Sequence, residues 1–138
     1  MISVTCAIIK RDGKILAVKR PRHKHQGGKW EFPGGKMESG ETASECIVRE
    51  IMEELSVGIE PLQQLIQIKH RYPDKEILLI PFLCKITSGV INLGEHEEAV
   101  WIKKDEISNL DWAAADLEII EVNFRLFDQG ADDKGEFK

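Results

Sequence analysis

Residues 35–57 read GKMESGETASECIVREIMEELSV, a stretch whose chemistry-bearing skeleton is Gly35, then Glu41, then the pair Arg49-Glu50, then the pair Glu53-Glu54. An α-helix turns about 100° per residue, so side chains three or four positions apart share a face. A helix over 42–55 therefore sets Glu50, Glu53 and Glu54 on one acidic arc. Ile47, Val48, Ile51, Met52 and Leu55 fall on the neighbouring arc, which packs, and Ala43 and Cys46 are the small residues beside the carboxylates. Like charges at helical spacing oppose folding by about 0.2–0.5 kcal/mol per pair. A hard cation such as Mg2+ or Mn2+ removes that repulsion, because it prefers carboxylate oxygen and takes phosphate oxygens as further ligands.

The plainer reading of the same stretch is a solvated acidic face on an amphipathic helix. Its flanks argue for more. Arg49 adjoins the cluster, Glu41 lies near the helix start, and Trp30-Glu31-Phe32-Pro33-Gly34-Gly35 enters it as a strand that turns on two glycines. Those glycines allow close backbone approach and expose a carbonyl to a metal.

The rest of the chain fits a single domain over residues 1–127, followed by a polar, frayed tail over 128–138. With 138 residues and 42% hydrophobic content it can bury one core. No apolar run approaches the roughly 18 residues of a membrane span. The start MISVTCAIIKRDGK lacks a basic-then-apolar export signal, so a cytoplasmic protein without a membrane partner is expected. Cys6, Cys46 and Cys84 are odd in number and unpaired in spacing, which makes them small buried hydrophobes. His23, His25, His70 and His96 read as surface or structural residues. A formal charge of −5 argues against a groove for duplex nucleic acid. A small polyanion is still served, because Arg20, Arg22, Lys24, Lys29 and Lys36 gather around the glycine turn.

Residues 4–9 and 15–19 flank Arg11-Asp12-Gly13 as a hairpin, and 29–32 form a third strand. Residues 61–71 and 76–86 pair as strands around Tyr72-Pro73-Asp74. A short strand follows at 99–102 and a helical turn at 104–109. A last helix spans 116–127 with Leu117, Ile120, Phe124 and Phe127 on one stripe. Strands with helices on both faces make an α/β/α sandwich around a mixed β-sheet.

The 35–57 skeleton resembles the signature of the Nudix hydrolase superfamily, Gly-x5-Glu-x7-Arg-Glu-U-x-Glu-Glu-x-Gly-U with U aliphatic. One position departs from it: Ser56 stands where the family has Gly. Gly there suits a left-handed helix end, so Ser56 is expected to cost up to about 1 kcal/mol or to move the stop to Gly58. The segments KWEFPGGKMESGE, 95–101 and Ala114-Ala115-Asp116 are similar to the MutT-like nucleoside triphosphate pyrophosphohydrolases.

Carried over by position, the resemblance implies metal ligation by the Gly34 carbonyl, Glu50, Glu53 and Glu54, with Glu95 as a further ligand or base. It implies attack of water at the β-phosphorus, giving a nucleoside monophosphate and pyrophosphate. Arg49 is expected to orient carboxylates through pairing with Glu45 or Glu53, and Glu41 to anchor Arg49 or cap the first turn. Arg20, Phe32, Gly35 and Lys36 are candidate substrate contacts. Asp116 matches a base-contacting position; its alternative role is N-cap of the last helix. An ionised Asp only accepts hydrogen bonds, which favours a donor-rich base edge. The expected substrate is thus a small nucleotide, with sanitising of 8-oxo-dGTP placed first. A preference for CTP or dCTP is the alternative, then another nucleoside diphosphate derivative, then a binding module without turnover. The protein would act as a monomer or homodimer.

Overall fold

A computed structural model describes residues 1–123. The expectations for Phe124, Phe127 and the 128–138 tail lie outside the described residues.

Strands β1 (Ile2–Arg11) and β2 (Lys14–Lys19) form the expected hairpin, with Arg11 opposite Lys14. Its two-residue turn needs positive φ at both positions, which Asp12 (53°) and Gly13 (75°) supply. β3 (Trp30–Glu31) pairs with β2, and a strand not anticipated from sequence follows at once, β4 (Gly34–Lys36), antiparallel to β1. Two glycines suggest a turn, yet here they permit pairing. A Cβ on Gly34 would lie 2.0 Å from the Thr5 carbonyl oxygen, and one on Gly35 would lie 2.3 Å from the Glu50 carboxylate.

Helix α1 (Ala43–Leu55) is capped by Thr42. Thr42 Oγ1 accepts from Glu45 N (3.1 Å), and Glu45 Oε1 accepts from Thr42 N (2.9 Å). The helix ends at Leu55 as the sequence suggested. Ser56 itself adopts the left-handed conformation (φ 60°) and donates its N–H to Met52 O, so the stop does not move to Gly58. The packing arc is narrower than expected. Ile47, Ile51, Leu55 and also Cys46 are buried, whereas Val48 and Met52 are exposed.

The single long strand expected at 61–71 divides into β5 (Gly58–Gln64) and β6 (Ile68–Tyr72), both antiparallel to β7 (Lys75–Ser88). β6 and β7 turn on Pro73-Asp74, with Tyr72 opposite Lys75. β8 (Glu98–Ile102) pairs with β2, a 3-10 helix spans Lys104–Asn109, and α2 (Ala114–Val122) closes the described fold. Among the described residues eight strands form one mixed sheet, in which β1 and β7 are the parallel pair.

Period-two alternation divides the sheet between two cores. Cys6, Ile8, Ile15 and Ala17 face the core shared with Trp112, Ala115, Ile119 and Ile120 of the α2 side. Ala7, Ile9, Leu16 and Val18 face Ile47, Ile51 and Leu55 of α1. Helices on both faces give the α/β/α arrangement. α2 begins at Ala114 rather than 116, and Leu117 is exposed, so the burial stripe runs instead through Ala115, Ile119 and Ile120. All three cysteines are free and buried. No described helix is long and apolar enough to cross a membrane.

Candidate active site

Arg49 organises the helix carboxylates. Its Nε donates to Glu41 Oε2 (2.7 Å) and its Nη2 to Glu41 Oε1 (2.9 Å), a two-pronged grip. Nη1 reaches Glu50 Oε1 (3.0 Å) and Glu53 Oε2 (3.1 Å), while Nη2 also bonds Lys36 O (3.1 Å). Glu45 is absent from this set because the capping box occupies it. The Arg49 bonds, joined by the Glu38 N–H, hold the Glu41 carboxyl down at about 2. Glu41 in turn raises the Arg49 pKa further. Glu41 therefore anchors Arg49, and the capping role expected as its alternative belongs to Thr42.

Glu54 behaves differently from its neighbours. Burial pushes its carboxyl up to about 7, with the charges of Glu31 and Glu50 adding to the rise and His96 opposing it. Its Oε2 is buried with no hydrogen-bond partner. Such an atom normally has a partner, and a proton on the raised carboxyl, a water or a cation would each supply one. Hard carboxylate oxygens are the donors that Mg2+ or Mn2+ takes, and Glu50, Glu53 and Glu54 fit such an ion by chemistry. Among the described residues no three His, Cys, Asp or Glu side chains stand close enough to hold an ion as they are placed, Glu50 and Glu53 being turned toward Arg49.

Residues from both helices line one cavity of about 700 Å³, within the usual range for a small-molecule site. Gly34, Gly35, Lys36, Glu50, Glu53 and Glu54 contribute from β4 and α1, and Phe32 and Asp116 from the other face. Arg20 and Glu95 also line it. The structure thus brings together the candidates named from sequence, except that Arg49 and Glu41 stand behind the lining.

Asp116 is not the N-cap of α2, since Ala113 holds that position and caps without a side-chain bond. Asp116 sits in the first turn, 7% exposed, and its Oδ1 accepts the Phe32 N–H at 2.9 Å. Pairing across the fold brings the two together: Trp30 N donates to Asp111 O, and Ala113 N donates to Trp30 O. Phe32 packs tilted on Trp112 at 4.9 Å. Burial, then the nearby Glu31 charge, pushes the Asp116 carboxyl up to about 8, against the Phe32 N–H and Arg20. A carboxyl raised this far can hold a proton near neutral pH and then donates as well as accepts, beside the acceptor-only chemistry expected of the ionised form.

Three lining residues escaped the sequence reading. Glu31 accepts Arg20 Nη1 through Oε1 (2.6 Å) and faces His96 Nε2 through Oε2 (3.2 Å). His96 has a side chain only 8% exposed; burial lowers its pKa, but the Glu31 bond and the Glu54 charge leave it raised. Tyr72 stands edge-on to His25 and His70, and His70 pairs with Glu118 of α2. Strand alternation was the available signal for Glu31, since it points away from the buried Trp30 and Phe32 that flank it. Nothing local marked His96 or Tyr72. Glu95, 75% exposed, is engaged with Lys24 at 3.2 Å.

Residues 4–122 match the NUDIX domain family model. The chain is 35% identical over 126 residues to a CTP pyrophosphohydrolase of Escherichia coli, covering 91% of this chain and 93% of that protein. It is 37% identical over 76 residues to an 8-oxo-dGTP diphosphatase of Proteus vulgaris, covering 55% and 68% respectively. The crystal structure of a MutT NUDIX hydrolase from Burkholderia pseudomallei is similar with a TM-score of 0.80 at 28% identity, covering 88% of this chain and 96% of that one.

Proposed function

The chain belongs to the NUDIX domain family and is a MutT-like Nudix hydrolase acting on nucleotides, and from that premise we propose that it cleaves nucleoside triphosphates to a monophosphate and pyrophosphate, selecting the base at Asp116. The observation that carries this reading is the shared cavity: Asp116, buried and fixed by Phe32 N–H, opens on the same space as Glu50, Glu53 and Glu54.

The carboxylates of α1, with the Gly34 carbonyl and Glu95, are the groups that would hold Mg2+ or Mn2+. A divalent cation, when bound, neutralises phosphate charge as it develops in the transition state. The chain's own residues do the rest. Arg49 holds Glu50 and Glu53 in ordered positions turned toward its guanidinium, so taking up a cation would draw them away from those bonds. Arg20 and Lys36 bring positive charge to the polyphosphate, and Gly35 leaves room for the Glu50 carboxylate beside it. One of the three glutamates accepts the proton of the attacking water.

Base choice follows from the state of Asp116. With Oδ1 accepting from Phe32, a protonated Oδ2 donates to a ring-nitrogen acceptor while the second lone pair of Oδ1 accepts from an adjacent amine. Cytosine N3 and its exocyclic amine present that pair, which moves CTP and dCTP ahead of 8-oxo-dGTP. The similarity to a CTP pyrophosphohydrolase supports the same order. Ionised Asp116 would instead suit the N–H edge of 8-oxoguanine, and the 8-oxo-dGTP diphosphatase relative keeps that as the second reading. Adenine offers the cytosine pattern on a larger ring and serves as control.

Pyrophosphate release with Mg2+ from CTP, dCTP, 8-oxo-dGTP, dGTP and ATP tests both levels. The expected order has CTP and dCTP first in kcat/KM. An order led by 8-oxo-dGTP would replace the base assignment, and no release from any of them would overturn the reaction itself.

A further inference from the structure

Two loops meet over the cavity through opposite charges. The segment after β2 carries Arg20, Arg22 and Lys24, and the segment before β8 carries Glu95, His96 and Glu97. Arg22 meets Glu97 at 3.6 Å, and its backbone N–H donates to the same carboxylate. Glu31 bridges Arg20 and His96, and Glu97 N donates to Lys19 O (3.2 Å). Lys24 Nζ completes the series at 3.2 Å from Glu95.

These contacts differ in kind. Arg20 is 25% exposed and Glu31 17%, so their pair is sheltered; Lys24 and Glu95 are 48% and 75% exposed, a pair in water worth little. Yet Lys24 and Glu95 both line the cavity that holds the α1 carboxylates, so Lys24 stands on the space that an anionic ligand would enter and Glu95 on the side of the like-charged α1 carboxylates. The backbone under Lys24 is tied down by Lys24 N to Pro21 O (3.2 Å) and Gly27 N to Lys24 O (2.9 Å). A change of partner therefore needs only side-chain motion.

We propose that Lys24 is a triphosphate-contacting residue held in reserve by Glu95, and that the two exchange partners when ligand enters. Phosphate oxygens draw Lys24, leaving Glu95 available to the cation, so binding of the anion and of the cation assist each other. Arg20, committed to Glu31 and to His25 O (2.8 Å), lacks that freedom. This inference rests on the nucleotide reading above for the occupant of the cavity.

The test is a double-mutant cycle read by binding of inorganic triphosphate to the metal-free full chain at low ionic strength, where exposed charges are least screened. Glu95→Gln is expected to tighten binding about three- to tenfold, and Lys24→Gln to weaken it by a similar factor. In the Lys24→Gln background the Glu95→Gln gain should vanish. If the gain persists there, Glu95 acts only through net charge and the exchange is overturned; unchanged binding by Lys24→Gln overturns the phosphate contact. Comparison of Glu95→Gln with the double variant decides the matter even where wild type binds too weakly to titrate. Matching thermal melts establish that the variants fold. Loss of the inference leaves pyrophosphate release from the nucleotide panel intact, whereas failure of the nucleotide reading abolishes it.

Discussion

The carboxyl groups around this one cavity sit in two opposite electrostatic settings. On the α1 side Glu41 is gripped by Arg49 and held at about 2, and the same guanidinium orders Glu50 and Glu53. On the α2 side Asp116 is buried and raised to about 8. The difference lies in the neighbours: a guanidinium supplies charge-assisted hydrogen bonds, while Asp116 receives one backbone N–H and a nearby glutamate. The carboxylates that Arg49 reaches are paired, whereas Asp116 and, on α1 itself, Glu54 are desolvated.

The largest effect should come from the ordered, charged side. Glu53→Gln removes a cation contact used in the transition state while relieving repulsion on the helix. A fall in kcat/KM of about a hundredfold or more is expected with melting temperature near wild type. Turnover close to wild type would remove Glu53 from the site and collapse the contrast.

Asp116→Asn probes the buried side. Asn keeps an oxygen for Phe32 N–H but no longer titrates, so base ranking should change by about ten- to hundredfold, equivalent to roughly 1–3 kcal/mol, while catalysis persists. Stability gives a second readout. The folded value of about 8 lies above the ordinary 3.8, so the unfolded chain gains by ionising first. Wild-type stability should therefore fall as pH rises from about 4 to 8, and Asp116→Asn should lack that slope. Parallel base profiles and parallel pH curves together would return Asp116 to a packing role.

Arg49→Ala tests whether order at the mouth matters apart from charge. It frees Glu50 and Glu53 to swing and leaves Glu41 unpaired, with about a tenfold loss in kcat/KM expected. Because Glu41 is depressed from 4.5, its contribution is present above that value and is lost as pH falls through about 2. The variant should not show that acid-side loss. Arg20→Ala should act mainly on KM, by a few-fold, if its guanidinium grips the substrate in the ground state. An unchanged KM would leave Arg20 as the partner of Glu31 alone.

What the sequence made legible was local. Asp12-Gly13 between alternating strands demanded the hairpin, and helical spacing bounded α1 at 42–55, but the Thr42–Glu45 capping box went unread, the cap being offered to Glu41 and Glu45 being set beside Arg49. The acidic arc followed from helical spacing, and so did the position of Arg49. What stayed hidden depends on contacts between distant parts of the chain. The bond from Phe32 N–H to Asp116 joins residues 84 positions apart, so an Asp ahead of Leu117 looked equally like a cap. β4 was hidden because two glycines resemble a turn until β1 lies beside them. Val48 and Met52 have the right periodicity to pack, but the sheet reaches only the stripe through Ile47, Ile51 and Leu55.

The smallest effect is expected where the signature residue is missing. Ser56 ends α1 with φ 60°, a conformation disfavoured for side chains bearing a Cβ, while its N–H still closes on Met52 O. Ser56→Gly removes that steric cost but adds freedom to the unfolded chain, so the net gain should be about 0.5–1 kcal/mol. Urea unfolding measures it. The Ser56 carbonyl lies where a Cβ on Gly89 would approach to 2.8 Å, so two backbone segments pass closely here and the substitution adds no side chain between them. Glu53 and Glu54 should therefore keep their places, and kcat/KM should not move. A gain in stability with constant activity would mean that Ser56 burdens the helix end alone. A change in activity would mean that the end of α1 helps to aim its carboxylates, and that the ordered side of the cavity extends further along the helix than Arg49 reaches.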